Sequence, residues 1–331
     1  MKKIFALLLA LIMVAGFTTG CEKQNGSDKT DKISIVTTIF PEYDWVREIL
    51  GDKADSAEIT MLLDDGVDLH SYQPTAEDVV KISGCDLFIY VGGESDEWVQ
   101  DALENADNKN MKVINLMEVL GDSVKTEEAI EGMEEGEHNH EHENGHHDEH
   151  EDGHHDEHVW LSLKNVKILC YSISEALQEI DPDNKDIYET NTFAYVEKLS
   201  ALDEEYKKTV EEGTFKTLLF GDRFPFRYMT DDYGLSYYAA FMGCSAETEA
   251  SFETISFLAK KVDELELPCV LTIEGERHEI ADSIVQNTAK KNQKILTMNS
   301  MQSATAKDVK DGLTYLSVME KNLNVLKEAL D

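Results

Sequence analysis

Apolar and polar positions alternate between two periods along this chain. Ile33 to Thr38 is a short β-branched run, and Pro41 then opens a helical pattern through Trp45, Ile49 and Leu50. Ile59 to Leu63 predicts a second strand, Thr75 to Ile82 a helix behind Pro74, and Asp86 to Val91 a buried strand ended by Gly92-Gly93. A helix over Glu97 to Leu103 and a strand over Lys112 to Asn115 follow, then a helix over Asn165 to Glu179 and a break at Asp181-Pro182-Asp183. From Asn184 to Glu212 a helical pattern runs without Gly or Pro, carried by Tyr188, Phe193, Val196, Leu199, Leu202 and Tyr206. Such a helix spans roughly 40 Å and reads as a rigid connector between two lobes. The second half repeats the alternation. Strands are expected at Thr217 to Phe220, Tyr237 to Phe241, Cys269 to Ile273 and Lys294 to Thr297. Helices are expected at Phe226 to Tyr233, Ser251 to Leu265, Glu276 to Lys291 and Lys307 to Leu330. The alternation predicts an α/β fold whose mostly parallel sheets are flanked by helices. The boundaries read as an N-terminal lobe over 32–182, a connecting helix over 183–212 and a C-terminal lobe over 213–331.

Two stretches depart from this pattern. Residues 127–157 are almost wholly Glu, His, Asp, Gly and Asn, with no apolar residue after Met133, so a disordered loop inserted into the first lobe is expected. At the start, Lys2 and Lys3 precede an apolar run from Ile4 to Phe17 and a small-residue exit, which predicts a secretory signal over 1–20. Cys21 stands where a bacterial lipoprotein carries its lipid, although Thr18 occupies the usual Leu position. Residues 21–31 are polar and read as a flexible tether. An extracytoplasmic protein, lipid-anchored to the cell membrane, is the expectation.

The 67 acidic against 30 basic residues give a net charge of -37. Nucleic acid is excluded as a partner, because its recognition needs a basic footprint. Neither an H-E-x-x-H, a G-x-S-x-G nor a Walker loop is present, so nothing points to an enzyme. Beyond Cys21 the cysteines, Cys85, Cys170, Cys244 and Cys269, are scattered with no C-x-x-C pair, which lends no support to a thiolate metal site.

Histidine is the informative residue. Nine of 11 lie between His138 and His158. The loop carries His138, His140, His142, His146, His147, His150, His154 and His155 among carboxylates, a set able to hold several exchanging zinc, copper or nickel ions. His158 differs, because it opens the apolar Val159-Trp160-Leu161 and should be fixed by the folded body. His70 lies in Asp68-Leu69-His70-Ser71-Tyr72, a turn after a strand, where α/β sheets line their ligand crevice.

With these residues in view, the chain resembles the metal-binding lipoproteins of bacterial zinc and manganese ABC importers, the ZnuA and TroA type. Val36-Thr37-Thr38-Ile39-Phe40-Pro41, Asp68-Leu69-His70-Ser71-Tyr72, Asp156-Glu157-His158-Val159-Trp160-Leu161 and Asp232-Tyr233-Gly234-Leu235 carry the resemblance, which runs from Ile35 to the terminal helix. It implies two α/β lobes joined by one long helix, metal in the cleft between them, and His70 and His158 as ligands. The family's third ligand, His or Glu five residues before a Tyr, falls here on Arg223, which has no lone pair to offer a cation. Asp222 could replace it if the backbone shifts. The fourth position, counted four residues on from Glu274, falls on His278, and Glu274 is itself a candidate. The implied function is capture of Zn2+ and its delivery as cargo to an ABC importer permease, by a monomer that is not an enzyme. A manganese carrier, and a surface zinc buffer or adhesin without a transport role, are the alternatives.

Overall fold

The computed structural model describes residues 32–134, 154–245, 249–275 and 278–331. The expected signal and tether, Cys21, and His138, His140, His142, His146, His147 and His150 lie outside the described residues. The β-branched runs become β1 (Ser34–Thr37), β2 (Glu58–Met61), β3 (Leu87–Tyr90) and β4 (Lys112–Asn115), separated by α1 (Phe40–Leu50), α2 (Ala76–Gly84) and α3 (Trp98–Glu104) and followed by α4 (Leu116–Leu120). Then come α5 (Leu163–Ile180) and the 28-residue α6 (Lys185–Glu212). The second half holds β5 (Thr217–Phe224), α7 (Arg227–Tyr233), β6 (Ser236–Met242), α8 (Phe252–Glu264), β7 (Cys269–Thr272), α9 (Glu279–Asn287), β8 (Lys294–Thr297), α10 (Ala306–Lys310) and α11 (Tyr315–Leu330).

The strands form two four-stranded sheets, ordered β2-β1-β3-β4 and β6-β5-β7-β8, and every pairing is parallel. Parallel strands need crossover helices that cover both sheet faces, which is why β1, β3 and β7 are near-continuous apolar runs. The expected α/β architecture, with two parallel sheets flanked by helices and one long helix, is therefore observed.

Helix α6 buries Tyr188, Thr192, Tyr195, Val196, Leu199, Leu202, Tyr206 and Val210, at spacings of three and four that make one stripe. That stripe lies against α1, α5 and α11. Polar bonds then fasten the two halves. Tyr315 donates its N–H to Asp44 Oδ2 at 2.8 Å and its hydroxyl to the Trp160 carbonyl at 2.7 Å, and Trp160 Nε1 donates to the Ser300 carbonyl at 2.8 Å.

One expectation is corrected. The terminal helix does not run unbroken from Lys307 to Leu330. Gly312 adopts φ +95°, and Thr314 caps a new helix by accepting from Ser317 N–H, so α10 and α11 are separate. The His/acid-rich stretch is described only at its two ends, 127–134 and 154–157, which hold no helix or strand but are pinned to the fold. Glu134 bridges to Phe241, His155 bridges to Thr126, and Met133 packs against the core. Among the described residues no helix is long and apolar enough to cross a membrane.

Candidate metal centre

In both sheets the middle strands carry the chain outward in opposite directions, which opens a crevice at their carboxyl ends. His70 sits there in a 3-10 turn, Leu69–Ser71, that follows β2. Asp68 caps that turn, its Oδ1 accepting the His70 N–H at 3.0 Å. His158 lies just before a second turn, Val159–Leu161, and is completely buried. The two imidazoles meet with their Nε2 atoms 3.2 Å apart.

Each ring is turned by a carboxylate behind it. His158 Nδ1 lies 2.9 Å from Asp156 Oδ1, and the same oxygen accepts the His158 backbone N–H at 2.9 Å. His70 Nδ1 is 2.9 Å from Ser95 Oγ and 3.3 Å from Glu157 Oε2. Glu157 is held in turn by Ser95 N–H, which donates to Oε1 at 2.9 Å. The carboxylate comes so close to the chain that a Cβ on Gly93, at φ +82°, would lie 2.4 Å from Glu157 Oε1. With one ring protonated on Nε2 this contact is a hydrogen bond; with both rings neutral and their protons on Nδ1, the two Nε2 lone pairs face each other. Two lone pairs at this separation repel, and a cation between them turns the repulsion into coordination. A tetrahedral zinc with Zn–N of 2.0–2.1 Å sets its two nitrogens about 3.3 Å apart.

The electrostatics are acidic. Burial acts to lower the His158 pKa, but Asp156, Glu157 and Glu127 outweigh it and hold it above the ordinary imidazole value. Burial acts to raise Glu157, yet hydrogen bonds from His70 and Ser95 keep it below the usual carboxylate range.

The third side chain is one that the sequence reading passed over. Cys244 follows β6, and its Sγ falls within 4.8 Å of the His70 and His158 nitrogens. Its backbone N–H donates to Glu127 Oε1 at 3.0 Å, and burial pushes its thiol well above the usual range. Zinc with a Zn–S bond near 2.3 Å would set sulfur about 3.6 Å from each nitrogen, so a shift of about 1 Å completes the geometry. The approach depends on Gly243, where a Cβ would lie 2.9 Å from both His158 Cε1 and the Phe224 carbonyl. The only hint in the sequence is a Gly-Cys pair directly after a strand, outside the apolar runs that hold the other thiols.

The remaining candidates stand elsewhere. Among the described residues, His70, His158 and Cys244 are the one group of three close enough to share an ion. Asp222 does sit where the β5 register shifts, but its two oxygens accept from Arg223 N–H at 2.9 Å and Ile273 N–H at 3.3 Å. Glu274 accepts from Ser300 N–H at 2.6 Å, Ser300 Oγ at 2.8 Å and Gln302 N–H at 3.1 Å, and so closes a turn. His278 occupies the N-cap position of α9, with a buried Nδ1 that makes no hydrogen bond. His154 contacts Glu94, and with His155, Glu127, His70 and Cys244 these two line one pocket at the mouth of the centre.

Comparison with known proteins gives a consistent picture. The chain matches the family model described as zinc-uptake complex component A, periplasmic, over residues 35–329. It is 33% identical over 331 residues to the zinc-binding lipoprotein AdcA of Streptococcus pneumoniae, and spans 100% of itself but 62% of that relative's length. It is 28% identical over 328 residues to the high-affinity zinc uptake system protein ZnuA of Bacillus subtilis, covering 99% of this chain and 97% of that one. The crystal structure of the Zn(II)-bound ZnuA-like domain of Streptococcus pneumoniae AdcA superposes with a TM-score of 0.69 at 29% identity, covering 91% of this chain and 99% of that one.

Proposed function

This chain belongs to the ZnuA family of zinc-uptake component A proteins, and from that premise we propose that it is an extracytoplasmic carrier that captures Zn2+ between its lobes and hands it to an ABC importer. Zinc is cargo, and His70, His158 and Cys244 bind it, with water or a mobile carboxylate completing four donors. The observation that carries the reading is the pair of Nε2 atoms 3.2 Å apart, each with its Nδ1 turned to a carboxylate. Nitrogen and thiolate donors favour zinc over manganese, which prefers oxygen-rich octahedral sites. The carboxylates such a site would need, Asp222 and Glu274, are already engaged with backbone amides. Anchoring through Cys21, accessory capture by the histidines between 138 and 155, and a permease that receives the ion belong to the same reading.

Chelator competition with the chain begun after Cys21 tests it. One tight zinc should bind, survive deletion of residues 137–153, and be lost in His70→Ala. Loss of tight zinc with the deletion instead, and its retention in His70→Ala, would make the protein a loop-borne zinc buffer and sink the carrier site.

A further inference from the structure

Arg223 stands at the carboxyl end of β5, just past the point where its pairing with β6 slips. Phe220 faces Ala239 and Arg223 faces Phe241, so β5 spends three steps where β6 spends two. An extra residue of this kind re-aims the side chains beyond it. Here the guanidinium is carried to the seam between the two ligand-bearing turns. Its Nη2 donates to Asp68 Oδ2 at 2.8 Å, and its Nη1 donates to the Ser245 carbonyl at 3.3 Å. Asp68 is the residue whose other oxygen holds the His70 backbone N–H, and Ser245 is the neighbour of Cys244.

We propose that Arg223 is a positioning residue, a latch whose fork joins the His70 turn of the first lobe to the Cys244-Ser245 turn of the second and so sets the bite of the metal centre. The proposal rests on the reading of His70, His158 and Cys244 as the zinc ligands. A planar guanidinium can serve two acceptors in fixed directions at once, whereas an ammonium at the end of a flexible stem cannot hold both in register. The Arg223 and Asp68 side chains are 20% and 22% exposed, so water does not fully screen the pair. Asp68 also keeps the cation from repelling the incoming zinc by neutralising it in place. The pair's ionised state is consistent with this. Burial acts to raise the Asp68 pKa, but Arg223 and His70 outweigh it and hold the carboxyl below its usual range. On the far side the Cys244 turn is also held by its N–H bond to Glu127, by the Ser245 N–H bond to the Met242 carbonyl at 3.3 Å and by the Glu157 backbone at the thiol. Cutting the latch removes the side-chain link between this turn and the His70 turn and so loosens the bite of the sulfur on the two imidazoles.

The test uses Co2+ as a probe of thiolate ligation and zinc release as the rate. Wild type loaded with Co2+ should show the near-ultraviolet sulfur-to-cobalt charge-transfer band. Arg223→Gln should weaken that band and speed zinc release into excess chelator by about 10- to 100-fold, the range typical when a group supporting a ligand is removed. Arg223→Lys, which keeps the charge but not the fork, should recover only a small part of either. Asp68→Asn cuts the same link from the first lobe and should reproduce the effect, which covers the case in which Arg223→Gln does not fold. Melting temperature in the absence of metal serves as the control for a merely structural role and should move little. An unchanged band and release rate in Arg223→Gln and Asp68→Asn would overturn the latch, and full rescue by lysine would reduce it to charge. A wild-type spectrum without the band would overturn the ligand assignment of Cys244 itself, a distinct result.

Discussion

Raising the pH through the neutral range should tighten zinc binding, and Cys244→Ser should make that dependence shallower by about one proton. Zinc takes only the neutral imidazole and the thiolate, so every proton still held by a ligand must leave on binding. Burial acts to lower the His158 pKa but is outweighed by Asp156, Glu157 and Glu127, so this ring gives up its proton at a higher pH than an ordinary imidazole. Burial raises the Cys244 thiol well above its usual range, with Glu127 and Asp156 adding to the shift, so it is protonated across this range. Each displaced proton makes affinity change tenfold per pH unit, or about 1.4 kcal/mol. The two together give a slope of about two in log affinity against pH, falling to about one above the raised His158 pKa. The sign follows, because protons compete with zinc and affinity is lost as pH falls. Chelator competition across a pH series gives the slope, and calorimetry in two buffers of different ionisation enthalpy counts the protons directly. Parallel slopes for wild type and Cys244→Ser would show that the sulfur gives up no proton to zinc, and would remove it from the ligand set.

Three further outcomes follow from the geometry. Asp156→Asn should weaken zinc about 10- to 100-fold in chelator competition, because the carboxylate orients His158 through both Nδ1 and the backbone N–H. Gly243→Ala should weaken zinc and cost about 1–3 kcal/mol in denaturant unfolding, since its Cβ would press on His158 Cε1 and the Phe224 carbonyl at 2.9 Å. Burial raises the Asp44 pKa to about 7, even though the Tyr315 N–H works against the shift. The folded state therefore holds a proton that the unfolded chain gives up from about pH 4, and this contribution to stability declines as pH rises towards 7. Asp44→Asn cannot ionise, so its melting temperature should gain on wild type between about pH 5 and about pH 7.5. A gap that stays constant with pH would mean that Asp44 titrates normally in the fold.

The strands and the long helix were legible because their periods are enforced by burial. The runs that became β1, β3 and β7 are apolar on successive residues because parallel sheets are covered on both faces. Residues such as Leu199, Leu202 and Tyr206 are spaced for the one stripe α6 buries. His70 stands out in the sequence by its turn after a strand, and His158 by the apolar segment it opens, and the structure sets the two side by side. Cys244 does not stand out, because its closeness to them depends on where β6 ends relative to His158, a distance between segments far apart in sequence. Arg223 was read only as the loss of a ligand. Its contact with Asp68 spans 155 residues and follows a register slip that no local pattern records. The split between α10 and α11 was missed because Leu313 and Leu316 continue the apolar period across Gly312, while the backbone of that glycine does not.

On the carrier reading proposed above, the wiring of the centre also bears on how the ion leaves it. His158 is the fixed point: it is fully buried, held by Asp156, and precedes the turn whose Trp160 bonds to Ser300 and Tyr315 of the second half. The same seam is reinforced by Asp44 on Tyr315 and by the Tyr206 hydroxyl on the Met319 carbonyl at 2.6 Å. Opening the two sheets as rigid bodies would break these buried bonds together, each at a cost of about 1–3 kcal/mol if left unpaired. The turns that carry His70 and Cys244 are tied by partly buried contacts instead, by Asp68, Ser95 and Glu157 on one side and by Glu127 and Arg223 on the other. Release by peeling these turns from a stationary His158 disturbs fewer buried groups than release by lobe rotation. A centre wired this way can keep a rigid frame and still give up an ion.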